Sequence, residues 1–217
     1  EVIRKHGMFM TGKPGGGRAV VKDRDLQGLS FVGKNLSQSD FSGCSFENAD
    51  MTAANFESAT LFGCDFTNAK MAGARMMRAD MRGSEISKAD LSQANMTGAD
   101  LREGKTIKNV KKKEEVNRFS DPIEAAPTRL DGANLSGANL SNTAAVAASF
   151  NDANLQDSSL RSADLKSASF RRADLDGADL SLADVRNADF SQSTMIGTTM
   201  DGAEKSGADF TLALTPD

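Results

Sequence analysis

The chain has 217 residues, 39% of them hydrophobic, a mean hydropathy of −0.41 and a net charge of −4 from 26 basic and 30 acidic residues. No apolar run approaches the roughly 20 residues a spanning helix needs and no signal peptide is visible, so a soluble, cytoplasmic protein without membrane contact is expected. Two cysteines and one histidine cannot furnish a zinc-type ligand set, and neither a metal nor a cofactor is expected.

Residues 1–18 carry Val2, Ile3, Met8, Phe9 and Met10 ahead of Gly12 and Pro14, which predicts a short helix that caps the chain from residue 19 onward. The stretch "GKPGGGR" lacks the GxxxxGK[ST] order that cradles phosphate and reads as a flexible elbow. His6 has no Ser, Cys or Asp partner at motif spacing and reads as a capping or surface histidine.

From residue 19 the pattern changes. Phe41, Phe46, Met51, Phe56, Leu61 and Phe66 stand five apart, within a bulky series that runs unbroken from Val21 to Leu101. A helix would step such residues by roughly 140° each time and scatter them around its surface. A strand would send every second one into water. The period works only if the chain turns a corner once per repeat, so that each short segment again points the same side inward. Cys44, Ala49, Ala54, Ala59 and Cys64 stand two before the bulky residues and share their side. The other positions are mostly Asp, Asn, Ser, Thr, Gly, Arg and Lys, the residues of turns and solvated surface.

Four corners close a coil, so residues twenty apart stack, and Leu26, Phe46, Phe66 and Ile86 form one core column. Cys44 and Cys64 fall in one inward column with parallel Cβ vectors and are expected as free, packed thiols. Met51, Met71, Met76, Met81, Met96, Met195 and Met200 also fall inward and read as core filler. Arg24 and Lys34 at inward positions predict an irregular first coil that the cap assists.

The repeat pauses after Leu101. The segment "REGKTIKNVKKKEEVNRFSDPIEAAPTR" holds Lys111, Lys112, Lys113, Arg118 and Phe119, a candidate interaction loop, because long loops on rigid scaffolds often carry function. Leu130 stands twenty-nine residues after Leu101 rather than five. That spacing predicts a 24-residue excursion which leaves and rejoins at one corner and sets Leu130 on Ile86. The series then runs on to Phe210, with Ala145 and Lys205 as departures, and Leu212 and Leu214 must fold over the core or meet a partner.

At this point the chain resembles the pentapeptide-repeat family, whose signature A(D/N)LXX stands here as "GADLR" near Asp100, "GANLSGANLS" from Gly132 and "RRADLDGADLSLADV" from Arg171. The resemblance covers about residues 19–101 and 128–213. It implies an all-β fold, a right-handed quadrilateral β-helix whose interior is filled by the apolar centre and the small residue two before it. To this the sequence adds a short N-terminal helical cap and one long loop insertion. The expected organisation is one structural domain: a cap over 1–18, a first half over 19–101, a basic loop insertion over 102–129, and a second half with the C-terminal end over 130–217. The family includes proteins that protect DNA topoisomerases, bacterial effectors and members with no assigned role, so fold alone does not fix function.

Charge divides the chain into +3 over 1–23, −3 over 24–101, +3 over 102–129 and −7 over 130–217. An acidic rod thus carries a basic cap and a basic excursion. Asp40, Asp80, Asp100, Asp164, Asp184 and Glu204 occupy the position just before the centre and form an acidic face if the excursion keeps register; the neighbouring face carries Asn35, Asn55, Asn95 and Asn139. This invites comparison with the family's quinolone-resistance members, which resemble duplex DNA and bind topoisomerases. A duplex about 40 Å long carries roughly 24 phosphates at one per 1.7 Å, whereas the two repeat segments total −10 and the large loop is basic. The expected function is therefore a non-enzymatic protein–protein interaction module with a protein partner the sequence does not name; the alternative is an acidic DNA mimic that binds a DNA topoisomerase. A single basic cluster without an aromatic platform argues against direct nucleic-acid binding, and the chain is expected as a monomer or an end-to-end dimer.

Overall fold

In the computed structural model, which describes residues 1–106 and 124–215, one helix, α1 (Val2–Met10), precedes a stack of short parallel strands. Each repeat contributes one β-bridge and one turn. The Asp or Asn at the bridge position receives the backbone N–H two residues on: Asn55 Oδ1 accepts from Glu57 at 2.9 Å, Asp65 from Thr67 at 3.0 Å and Asp90 from Ser92 at 3.1 Å. Such side chains mimic a backbone turn, which is the physical reason Asp and Asn recur there. The bulky residue then accepts the N–H three residues on, as Phe46 does from Ala49 at 2.9 Å. Between them the chain enters the left-handed region, with φ of 58° at Asn48 and 63° at Gly73. The corner demanded by the five-residue period is this turn.

Each bridge joins residues twenty apart, as Asp40 to Thr60 and Thr60 to Asp80, so one coil holds four repeats. Across the excursion the offset becomes forty-four, in Glu85–Arg129, Asp90–Asn134, Asn95–Asn139 and Asp100–Ala144, and then returns to twenty. The additional twenty-four residues leave and rejoin without disturbing a single column. Ile86 N–H donates to Arg129 at 2.7 Å, which sets Leu130 on Ile86 as the spacing predicts. The bulky residues from Phe31 to Met195 and the small residues beside them are buried, the methionines included.

At the foot of the excursion, β1 (Gly104–Thr106) pairs antiparallel with β2 (Glu124–Ala126). Thr128 takes the place of a small core residue and ties the exit to the re-entry. Its buried hydroxyl accepts from Gly83 N–H at 2.9 Å and lies 3.0 Å from the Arg102 carbonyl. The same inward column carries Cys44, Cys64 and Ser84, whose Sγ and Oγ atoms donate to the carbonyls of Val21 at 3.2 Å, Phe41 at 3.1 Å and Leu61 at 2.9 Å. Both thiols are free and buried, and burial pushes their pKa values up.

The two ends depart from expectation. The cap seats His6 inward, fully buried, beside the partly buried Ile3 and Met10, while Val2 and Phe9 are left exposed. One turn of helix separates Ile3 from His6 and another separates His6 from Met10, so a single face reaches the coil. The glycine elbow is tight: a side chain at Gly16 would overlap the backbone of Met8 and Phe9, and Gly17 N–H donates to Lys5 at 3.1 Å. Arg24 and Lys34 are exposed in the first coil. At the other end Leu214 pairs with Thr194 as a further strand, and Leu212 and Leu214 remain 76% and 59% exposed, so they do not fold over the core.

Candidate functional site

The bridge columns place the acidic residues. Asp40, Asp80, Asp100, Asp164, Asp184 and Glu204 share one column, interrupted by Thr60 and Ala144. The neighbouring column carries Asn35, Asn55, Asn95 and Asn139 with Arg75 among them. Lys111, Lys112, Lys113, Arg118 and Phe119 lie outside the described residues.

The column is not a strip of bare carboxylates. Arg82 grips Asp80 with Nε at 2.9 Å and Nη2 at 2.8 Å and stands 3.6 Å from Asp100. Arg102 grips Asp100 at 2.9 and 2.6 Å, and Arg186 grips Asp184 at 2.9 and 2.7 Å. Lys166 lies 3.0 Å from Asp164 and 3.7 Å from Asp184, and Lys22 lies 3.0 Å from Asp40. Residues two apart sit on one side of a strand, so Arg82, Arg102, Lys166 and Arg186 each emerge beside their own acid, while Lys22 reaches Asp40 from the coil below. Two-point guanidinium–carboxylate pairing fixes geometry as well as charge. Among the described residues only Glu204 of the six has no ion pair.

These partners set the ionisation. The Arg186 guanidinium lowers Asp184 to about 2. Burial acts to raise Asp100, yet its bonds to Arg102 and the nearby Arg82 hold it below the usual carboxylate value. Asp40 is likewise lowered against the effect of burial, by Ser42 and Lys22. Reciprocally, Arg82, Arg102 and Arg186 are all raised by the acid each grips. From Asp80 to Arg186 the column is a zipper of alternating charge, in which Asp100 and Asp184 stay ionised at neutral pH, as Asp40 does at its start.

The sequence reading placed the acids and missed their cations. The signal was present as Asp-x-Arg or Asp-x-Lys at 80–82, 100–102, 164–166 and 184–186. Beside this zipper, Phe62 lies under Arg82, whose guanidinium carbon is 5.6 Å from the ring centre. A shallow cleft of 360 Å³ opens between these two residues and Glu103, Gly104 and Ala125 at the foot of the excursion. A side chain at Gly104 would meet the backbone of Arg82 and Gly83 at 2.9 Å, so glycine lets the foot seat against the coil. Among the described residues no group of three or more His, Cys, Asp or Glu could hold a metal ion, and no helix is long and apolar enough to cross a membrane.

A parallel β-helix of five-residue repeats, with capped turns and paired surface charge, defines a solenoid protein. The family description "Pentapeptide repeats" matches in 8 copies, over residues 25–57, 59–98, 128–166, 148–187 and 178–213, and the chain belongs to that family. Similar solved structures include HetL, a pentapeptide repeat protein involved in heterocyst differentiation regulation from the cyanobacterium Nostoc sp. strain PCC 7120, at 23% identity over 96% of this chain and 92% of that chain, TM-score 0.35. QnrB1, a plasmid-mediated fluoroquinolone resistance protein, is similar at 21% identity over 88% of this chain and 93% of that chain, TM-score 0.46. Rfr23, from the cyanobacterium Cyanothece 51142, is similar at 20% identity over 63% of this chain and 91% of that chain, TM-score 0.33. No curated protein matches the chain.

Proposed function

We propose that the chain is a non-enzymatic protein-interaction module: a right-handed, quadrilateral β-helix that works as a rigid scaffold, presenting a charge-paired column and one basic loop to a protein partner in the cytoplasm. Four bridge columns per coil support the four-sided form, and parallel crossovers are right-handed in nearly all proteins. Two free, buried thiols accord with a reducing compartment. The partner binds the column of Asp40, Asp80, Asp100, Asp164, Asp184 and Glu204, the loop residues Lys111, Lys112, Lys113, Arg118 and Phe119, or both; the protein acts as a monomer or an end-to-end dimer and takes no nucleic acid directly.

The pairing of the acidic column with Arg82, Arg102, Lys166 and Arg186 carries this reading. Alternating charge selects a partner by complementary pattern, whereas a mimic of duplex DNA needs uncompensated anions at phosphate density. One observation favours the alternative, an acidic mimic directed at a DNA topoisomerase: Asp157, Asp174 and Asp176, on another face, make no salt bridge among the described residues.

Affinity capture from lysate tests the proposal with three forms: the intact chain, a form with 102–129 replaced by four residues so that Leu130 again follows Leu101 at the five-residue spacing, and Arg82→Glu with Arg186→Glu. A partner retained by the first and lost from either variant supports an interaction module and locates its surface. The same partner captured equally by all three removes both surfaces from consideration. Inhibition of topoisomerase supercoiling by the intact chain, abolished by Asp157→Asn with Asp174→Asn and Asp176→Asn, establishes the alternative instead.

A further inference from the structure

His6 is the one buried titratable group of the cap, and the solenoid does not need it for its own ladder. Its ring is fully buried and stacks near Phe9, with centres 6.0 Å apart. Ala19 N–H donates to His6 Nδ1 at 3.0 Å, while the Ala19 carbonyl accepts from Asp40 at 2.9 Å. Ala19 therefore joins cap and coil through its two backbone groups. A backbone N–H can only donate, so Nδ1 must be the unprotonated nitrogen and the ring neutral. Its Nε2 is buried without a hydrogen-bond partner.

Few other contacts hold α1 to the coil. Met10 Sδ receives the Ser37 hydroxyl at 3.7 Å, and Ile3 packs against the core. Arg4 turns away to Glu1 at 2.8 Å, and Lys5 lies 3.9 Å from the same carboxylate. The charge acting on the imidazole comes from the return segment, at Arg18, and from the coil comes only the Ser37 carbonyl.

We propose that α1 is an acid-released lid on the first coil, latched by His6: proton uptake at Nδ1 turns the acceptor of the Ala19 amide into a competing donor, and the helix lifts while the coils stay intact. The protonated ring would also be a buried cation beside Arg18, without a carboxylate to receive it. Burial, and Arg18 after it, hold the imidazole below its ordinary value against the opposing pull of the Ser37 carbonyl. The sign comes from linkage. The released ring binds protons more readily than the seated one, so closure is at full strength above the ordinary histidine pKa of about 6.5 and weakens as the pH falls from there toward the seated ring's lower value, by up to about tenfold per pH unit.

Backbone amide spectra of the intact chain between pH 8 and 4.5 test this. The expected result is a single transition below about pH 6.5 in which the Ala19 and Gly17 amides lose protection and the Val2–Met10 signals become helix-free, with amides from Phe41 onward unchanged. His6→Asn, whose side-chain oxygen replaces the acceptor and does not titrate, is expected to stay closed throughout. Arg18→Gln removes the opposing cation and is expected to raise the midpoint. A lid that stays shut while the His6 ring titrates overturns the proposal, as does opening at the same pH in His6→Asn. If His6→Asn does not seat the helix at neutral pH, the Arg18→Gln midpoint decides, and one that is unchanged or lower overturns it.

Discussion

The halves on either side of the excursion use one backbone and fill it differently. In 19–101 the coil from Phe41 carries three aromatics, Phe41, Phe46 and Phe56, and they meet edge-on, with Phe41–Phe46 at 66° and Phe41–Phe56 at 73°. Met51 takes the fourth side, and Met71, Met76, Met81 and Met96 fill the coils after it. In 130–214 the coil from Leu130 carries no aromatic and those from Phe150 onward carry one each, and Phe150, Phe170, Phe190 and Phe210 stack face to face at 4.8 to 5.1 Å within 4° of parallel. Phe46 stacks flat on Phe66, 5.2 Å away, but three rings cannot all lie flat in one narrow cross-section, so Phe41 tilts against its neighbours and an unbranched, adaptable side chain takes the remaining space. One ring per coil can repeat at the strand spacing of about 4.8 Å. The turns and bridges hold the period, and the core has only to supply volume.

The largest expected effect separates the two fillings. Phe170→Ala removes a ring stacked on both sides and is expected to cost about 3–5 kcal/mol in chemical denaturation, whereas Met76→Ala should cost nearer 2, because neighbouring methionines can shift into the gap. Equal losses would show that the stack adds nothing to simple burial. The junction between the halves should come next. Thr128→Val deletes the hydroxyl that receives Gly83 N–H and is expected to cost about 1–2 kcal/mol, with Thr128→Ser recovering most of it. A loss confined to hydrogen exchange at 83 and 102 would mean the halves unfold separately there.

Much of this contrast was legible in the sequence, because a five-residue period admits few backbones and every inward position is fixed by it. The stacking of Leu130 on Ile86, the burial of both cysteines and the alignment of Asp40 through Glu204 all come from counting. What counting missed lies off the inward positions. The grip of Arg82 on Asp80 depends on side chains two apart on the outer surface, which a search for core does not weigh. Gly16 and Gly104 are read as loop residues until a neighbouring backbone is seen against them. His6 is a lone residue with no period to place it. The loop residues from Lys111 to Phe119 belong to no repeat, so no ruler extends to them.

A smaller effect tests the turns shared by both halves. Ala147 holds a left-handed φ of 58° on an exposed corner, a conformation that costs a residue with a side chain about 1 kcal/mol or more. Ala147→Gly relieves that strain but makes the unfolded chain more flexible, for a net gain of about 0.5 kcal/mol. Ala53→Gly, at φ 54° in the first half, should give the same gain. Unequal gains would show that the fillers press on the turns after all.

The smallest expected effect concerns the charge zipper, the feature that both halves repeat despite their different cores. Asp184 is held at about 2 by Arg186, so its pairing favours the fold fully above the unfolded carboxylate value of about 3.9 and is lost as the pH falls toward 2. Asp100, also held low, should behave in the same direction. Both pairs are exposed to solvent, which keeps each contribution small and makes it sensitive to salt. The stability gap between the native chain and Asp184→Asn is therefore expected to narrow from pH 5 to pH 2 and to shrink in high salt, and Asp100→Asn should trace the same curve. Matching curves would make the zipper one continuous surface laid over two different interiors, which is what a partner reading charge pattern along the rod requires. A flat profile for either variant would mean that its arginine pairs there without holding the fold, and that the two halves present separate surfaces.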